Sequence, residues 1–103
     1  MNIENKLQSM GLALMPVVKP VANYVPAVKT GTLIFLSGHG PVKENGQLIT
    51  GKVGYDLSPE DGYAAARRAA LALLSSLKGE IQDLDKVKRI VKLFGMVNCR
   101  PDF

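Results

Sequence analysis

Tryptophan is absent from the 103 residues, cysteine and histidine occur once each, as Cys99 and His39, and only 6% of the chain is aromatic. A single cysteine excludes an intramolecular disulfide framework and leaves a thiolate zinc site short of ligands. A single histidine excludes a multi-histidine metal centre, so no metal or cofactor is expected. No run approaches the roughly 18–20 consecutive apolar residues that a membrane-spanning helix needs. The opening MNIENKLQSMGLAL lacks the apolar core and small-residue cleavage site of a secretory signal. A cytoplasmic protein with a reduced Cys99 and no membrane partner is the expectation.

What is present argues for a folded domain. The chain is 47% hydrophobic and 21% charged, outside the low-hydrophobicity, high-charge regime of disorder. Its length suits one domain spanning 1–103, with 1–15 forming a short helix and linker. The net charge is +4, but Lys and Arg are scattered from Lys6 to Arg100. A nucleic-acid binder concentrates them on one face, so nucleic acid is not the expected partner.

Periodicity divides the chain. Ile3, Leu7 and Met10 fall at helical spacing before Gly11. Leu12 to Pro20, with prolines at 16 and 20, should be extended and irregular. Val21–Lys29 and Thr32–Gly38 read as strands joined at Thr30-Gly31. In the second, Leu33 and Phe35 face one way and Ile34 and Leu36 the other. A strand apolar on both faces is covered on both; a helix can supply one cover, and another subunit the second. Asn45-Gly46 marks a hairpin between Pro41-Val42 and Gln47–Ile49. Ser58, Pro59 and Asp61 announce a helix with a capping box. Its apolar positions are Tyr63, Ala66, Ala70, Leu73 and Leu77, with Ser75 on the polar side and Gly79 near its end. Val87–Val97 alternates as a last strand.

Ser37-Gly38-His39-Gly40-Pro41 follows the doubly apolar strand. Its glycines leave backbone N–H groups accessible, which suits an anion or a carboxylate; a strand-ending turn that needs glycine is the structural alternative. His39 could act as a general base, yet no partner stands at a telling spacing. Glu60 and Asp61 are explained by capping. Cys99 lacks an activating base nearby in sequence. Tyr24 fits either a core position or a ligand contact.

The run PVANYVPAVKTGTLIFLSGHGPV, from Pro20 to Val42, resembles the opening of the YjgF/RidA family, the enamine/imine deaminases also labelled L-PSP endoribonucleases. The residues that carry it are Tyr24, Ala27-Val28-Lys29-Thr30-Gly31 and Ser37-Gly38-His39-Gly40-Pro41, followed by DLDKVKRIVKLFGMVN from Asp83 to Asn98. The resemblance implies an α+β, chorismate-mutase-like sheet with a packed helix and a homotrimer with small-acid sites between subunits. It also implies hydrolysis of 2-aminoacrylate-type intermediates to keto acids and ammonia. It assigns substrate contacts to Tyr24, Ser37 and Gly38 and leaves the catalytic residues unknown. His39 departs from the more usual amide at its position. The family's carboxylate-binding Arg, its acidic residue, its final helix and its last two strands correspond to sequence beyond Phe103, so the expectation is a protein that continues. Two alternatives stand beside the hydrolase: a non-catalytic, chaperone-like binder of small acids, and an RNA-directed protein.

Overall fold

The computed structural model describes residues 2–17 and 22–103. In chain order it contains α1 (Asn2–Ser9), β1 (Ala27–Thr30), β2 (Leu33–Leu36), α2 (Pro59–Ile81) and a single 3₁₀ turn (Leu84–Lys86). The expected first strand start, Val21, and Pro20 lie outside the described residues.

β1 and β2 form an antiparallel hairpin in which Thr30 pairs with Leu33 and Ala27 with Leu36. The two-residue connection is Gly31-Thr32, one position later than Thr30-Gly31. Gly31 has φ 57° and Thr32 does not share the positive region, which is the pattern of a type II′ turn with glycine first. The second hairpin closes at an isolated bridge between Val42 and Leu48. There the Asn45 side chain accepts from the Gln47 N–H at 3.0 Å and Gly46 takes φ 86°.

α2 begins as its sequence requires. The Ser58 hydroxyl accepts from the Asp61 N–H, and the Asp61 carboxylate accepts from the Ser58 N–H, both at 3.0 Å. The helix does not stop at Gly79. It runs to Ile81 and closes at Gln82, whose φ is 68°. Gly79 serves packing instead: a Cβ there would come within 3.2 Å of Val17.

The buried face of α2 also differs from the expected stripe. Leu71, Ala72, Ser75, Ser76, Leu77 and Ile81 are buried, whereas Tyr63, Ala66 and Ala70 stay exposed. Ser75 can be buried because its hydroxyl donates to the Leu71 carbonyl at 2.8 Å and accepts from the Met15 N–H at 3.1 Å; a paired polar group loses little on leaving water. Leu77, Ile81 and Leu84 make the core cluster, packed against Leu7, Leu14, Ile34 and Leu36. One face of β2 thus meets α2. The other, Leu33 and Phe35 with the neighbouring Val28, remains exposed.

α1 buries no residue fully and docks largely through polar contacts. Asp85 accepts from the Asn2 and Ile3 N–H groups at 2.7 and 2.9 Å, supplying the cap that the helix's own sequence lacks. Glu4 pairs with Lys78 at 2.7 Å.

The expected strand Val87–Val97 is not one. Residues 88–98 are exposed and, among the described residues, form no ladder. The alternation is real, but a strand exists only where a second backbone accepts its hydrogen bonds. Pairing resumes at Cys99, which bridges Val53 in parallel.

Candidate functional site

The turn from Ser37 to Gly40 leaves the end of β2 and crosses toward α2. Its start is anchored on β1's flank: the Pro26 carbonyl accepts from the Ser37 N–H at 3.0 Å and from the Ser37 hydroxyl at 3.3 Å. Tyr24 lies two residues before Pro26 and is exposed, so it is not a core residue of this chain. The hairpin register therefore brings the chain segments of Tyr24, Ser37 and Gly38 to the same end of the sheet.

His39 crosses from this turn to the helix. Its Nδ1 lies 2.6 Å from the Ser37 carbonyl oxygen and its Nε2 lies 2.7 Å from the Ser76 hydroxyl. The ring is half-buried and both nitrogens are engaged, so His39 joins two elements. Ser76 is the residue that sequence reading missed. It sits between Ala72 and Leu77 on the inward face of α2, and only the tertiary approach of His39 gives it a role.

Beyond Ser37, the backbone N–H groups of Gly38, His39 and Gly40 have no hydrogen-bond acceptor among the described residues. Gly38 is exposed, and a Cβ added there would meet nothing within 4 Å. Successive unpaired N–H groups beside open space can receive the oxygens of an anion.

Three arginines, Arg67, Arg68 and Arg100, are committed elsewhere. Arg68 donates from Nε to the Val42 carbonyl at 2.7 Å. Arg67 donates to the Tyr63 hydroxyl at 3.2 Å and lies over its ring. Arg100 pairs with Asp102; the carboxylate raises the guanidinium's pKa, and the guanidinium lowers that of the carboxyl.

Two concavities lie away from the turn. One, of about 480 Å³, lies between Tyr55, Ser58 and Arg100; the other, of about 450 Å³, lies between Met15, Lys43 and Arg68. Neither is lined by Tyr24, Ser37 or Gly38. Among the described residues no group of three or more His, Cys, Asp or Glu side chains could hold a metal ion, and no helix is long and apolar enough to cross a membrane.

Comparison with known proteins places these features. Residues 4–102 match the family described as "YjgF/chorismate mutase-like, putative endoribonuclease". Protein TCP17 of Trypanosoma cruzi is 40% identical over 97 residues, covering 94% of this chain and 61% of its own length. A crystal structure from Shewanella oneidensis, described as a "putative endoribonuclease", superposes with TM-score 0.79 at 34% identity over 84% of this chain and 58% of that one. A protein of unknown function from Agrobacterium tumefaciens superposes with TM-score 0.73, also at 34% identity, over 86% of this chain and 54% of that one. The chain thus spans somewhat under two thirds of each relative.

Proposed function

The chain belongs to the YjgF/chorismate-mutase-like family, and on that premise we propose that its Ser37–Gly40 turn binds the carboxylate of a small 2-imino or 2-oxo acid. The whole protein then hydrolyses enamine/imine intermediates of the 2-aminoacrylate type to keto acid and ammonia, in a cleft between subunits of a cytoplasmic trimer. The observation that carries the reading is the row of N–H groups at Gly38, His39 and Gly40, unpaired among the described residues, with Gly38 exposed and His39 and Gly40 half-buried. Hydrolysis adds water to the C=N carbon. The carbinolamine so formed expels ammonia as the carbonyl forms, with the water's protons passing to nitrogen. A held carboxylate fixes that carbon relative to the attacking water, and fixed geometry lowers the barrier. Backbone donors serve this purpose without the side-chain entropy that an arginine gives up on being fixed. The exposed face of β2, with Leu33 and Phe35, supports a neighbouring subunit as the opposite wall.

The test is calorimetry with pyruvate and 2-oxobutyrate, beside turnover of 2-aminoacrylate generated from serine. Gly38→Ala is the informative variant. Its Cβ enters open space at a position outside the positive-φ region, so the fold should hold or gain about 0.4–1 kcal/mol through the unfolded state. The added methyl occupies the ligand's approach, so 2-oxo acid binding should weaken by about tenfold or more. Equal binding by Gly38→Ala and the parent chain would place the ligand elsewhere. Binding of RNA, with affinity falling steeply as salt rises, would favour the nuclease reading carried in the family's description.

A further inference from the structure

The Ser37–Gly40 turn is tied to the helix by hydrogen bonds whose polarity can be worked out. A carbonyl oxygen only accepts, so the 2.6 Å contact between His39 Nδ1 and the Ser37 carbonyl requires the proton on Nδ1. Ser76 gives the same answer independently. The residue is 3% exposed, and its hydroxyl has one hydrogen-bond partner among the described residues, His39 Nε2 at 2.7 Å. A buried hydroxyl proton with a single available acceptor goes to that acceptor. Nε2 is therefore the accepting nitrogen, and the two contacts together hold the ring in one tautomer.

We propose that Ser76 is a positioning residue for the anion-binding turn, acting through the Nδ1–H tautomer of His39. The serine donates to Nε2, which fixes the ring plane. The ring's Nδ1–H fixes the Ser37 carbonyl. The peptide plane carrying that carbonyl also carries the Gly38 N–H, so orienting one orients the other. The donor row is aimed by a residue on a helix 37 positions away in sequence. Neither Ser76 nor His39 needs to touch the acid to set its affinity. This role rests on the proposed acid site for its functional consequence, but not for its geometry.

The geometry is tested without any ligand. Two-dimensional ¹⁵N–¹H spectra of the imidazole in the 103-residue chain should show a protonated Nδ1 and a bare Nε2 at neutral pH. Ser76→Ala should release the tautomer, shift the Gly38 amide resonance and weaken pyruvate binding by about tenfold. Its thermal midpoint should fall by no more than about 8 °C. Ser76→Thr, which retains a hydroxyl, should restore the tautomer and the Gly38 shift. His39→Asn can reproduce the Nδ1–H donor, and should keep the Gly38 shift closer to the parent's than His39→Gln does.

A parent chain with its proton on Nε2, or a Ser76→Ala variant with an unmoved Gly38 amide, overturns the assignment. If the tautomer and the Gly38 response are as stated while pyruvate binds neither parent nor variant, the positioning role stands and the small-acid reading fails.

Discussion

At the scale of single residues, two glycines do opposite work. Gly38 faces open space and its backbone is ordinary, so its value lies in what it leaves empty. Gly54 has φ 95°, and a Cβ there would collide with Cγ and Cδ of Arg100. That arginine crosses directly over the glycine, its backbone N–H donating to the Val53 carbonyl at 3.0 Å. Gly54→Ala should cost about 1–3 kcal/mol from the backbone conformation alone. Thermal unfolding reads the loss, and hydrogen exchange at Val53 and Arg100 locates it. Adding Arg100→Ala should relieve the collision but not the positive φ, so only partial recovery is expected. Full recovery would show that the side chain, not the backbone, demands glycine.

Elements differ in how much of their making is local. α2 carries its own start: Ser58, Pro59 and Asp61 do what their types and spacing require, because an N-cap is a contact between residues three apart. The capping bonds from Ser58 also hold the Asp61 carboxyl below its ordinary value. The helix's far end and buried face were less legible. Two serines entered the core because Met15 and His39, distant in sequence, supplied partners for their hydroxyls. α1 is the opposite case, since its N-terminal N–H groups are capped across the fold. The Ile3 and Asn2 N–H groups help hold Asp85 at about 2, against an ordinary 3.8. The folded pKa is the lower one, so the contribution is complete above 3.8 and lost as pH falls through about 2. Amides of α1 should therefore lose exchange protection over that window while the hairpin amides keep theirs. Asp85→Asn should loosen α1 already at neutral pH and abolish the acid step. An unchanged acid step in that variant would mean that other carboxyls hold the helix.

Across the whole molecule, the conspicuous feature is apolar surface in water. The outer face of the hairpin exposes Phe35 at 61%, and the stretch 88–98, which forms no ladder among the described residues, exposes Met96 at 84%. Exposed apolar area of this kind marks a surface that associates, and an unpaired extended backbone is a template for strand addition. Self-association of the 103-residue chain should therefore be concentration-dependent in sedimentation experiments. Phe35→Lys should lower it by putting a charge where an apolar neighbour must sit, with little effect on stability because the position is exposed. A Phe35→Lys variant that associates as strongly as the parent would move the interface off the hairpin.

Residue order alone determined what depends on near neighbours: the α+β composition, the Asn45-Gly46 hairpin, the capped start of α2 and the glycine-bracketed turn after β2. Each rests on contacts a few residues apart, whose geometry the covalent chain already constrains. Tertiary structure decided the rest. Val87–Val97 alternates like a strand yet forms no ladder among the described residues, because a ladder needs a second backbone that alternation cannot provide. Ser76 became the partner of His39, and Asp85 the cap of α1, because folding brought together groups that chain connectivity leaves far apart, and a buried or terminal polar group takes whichever partner the packing presents.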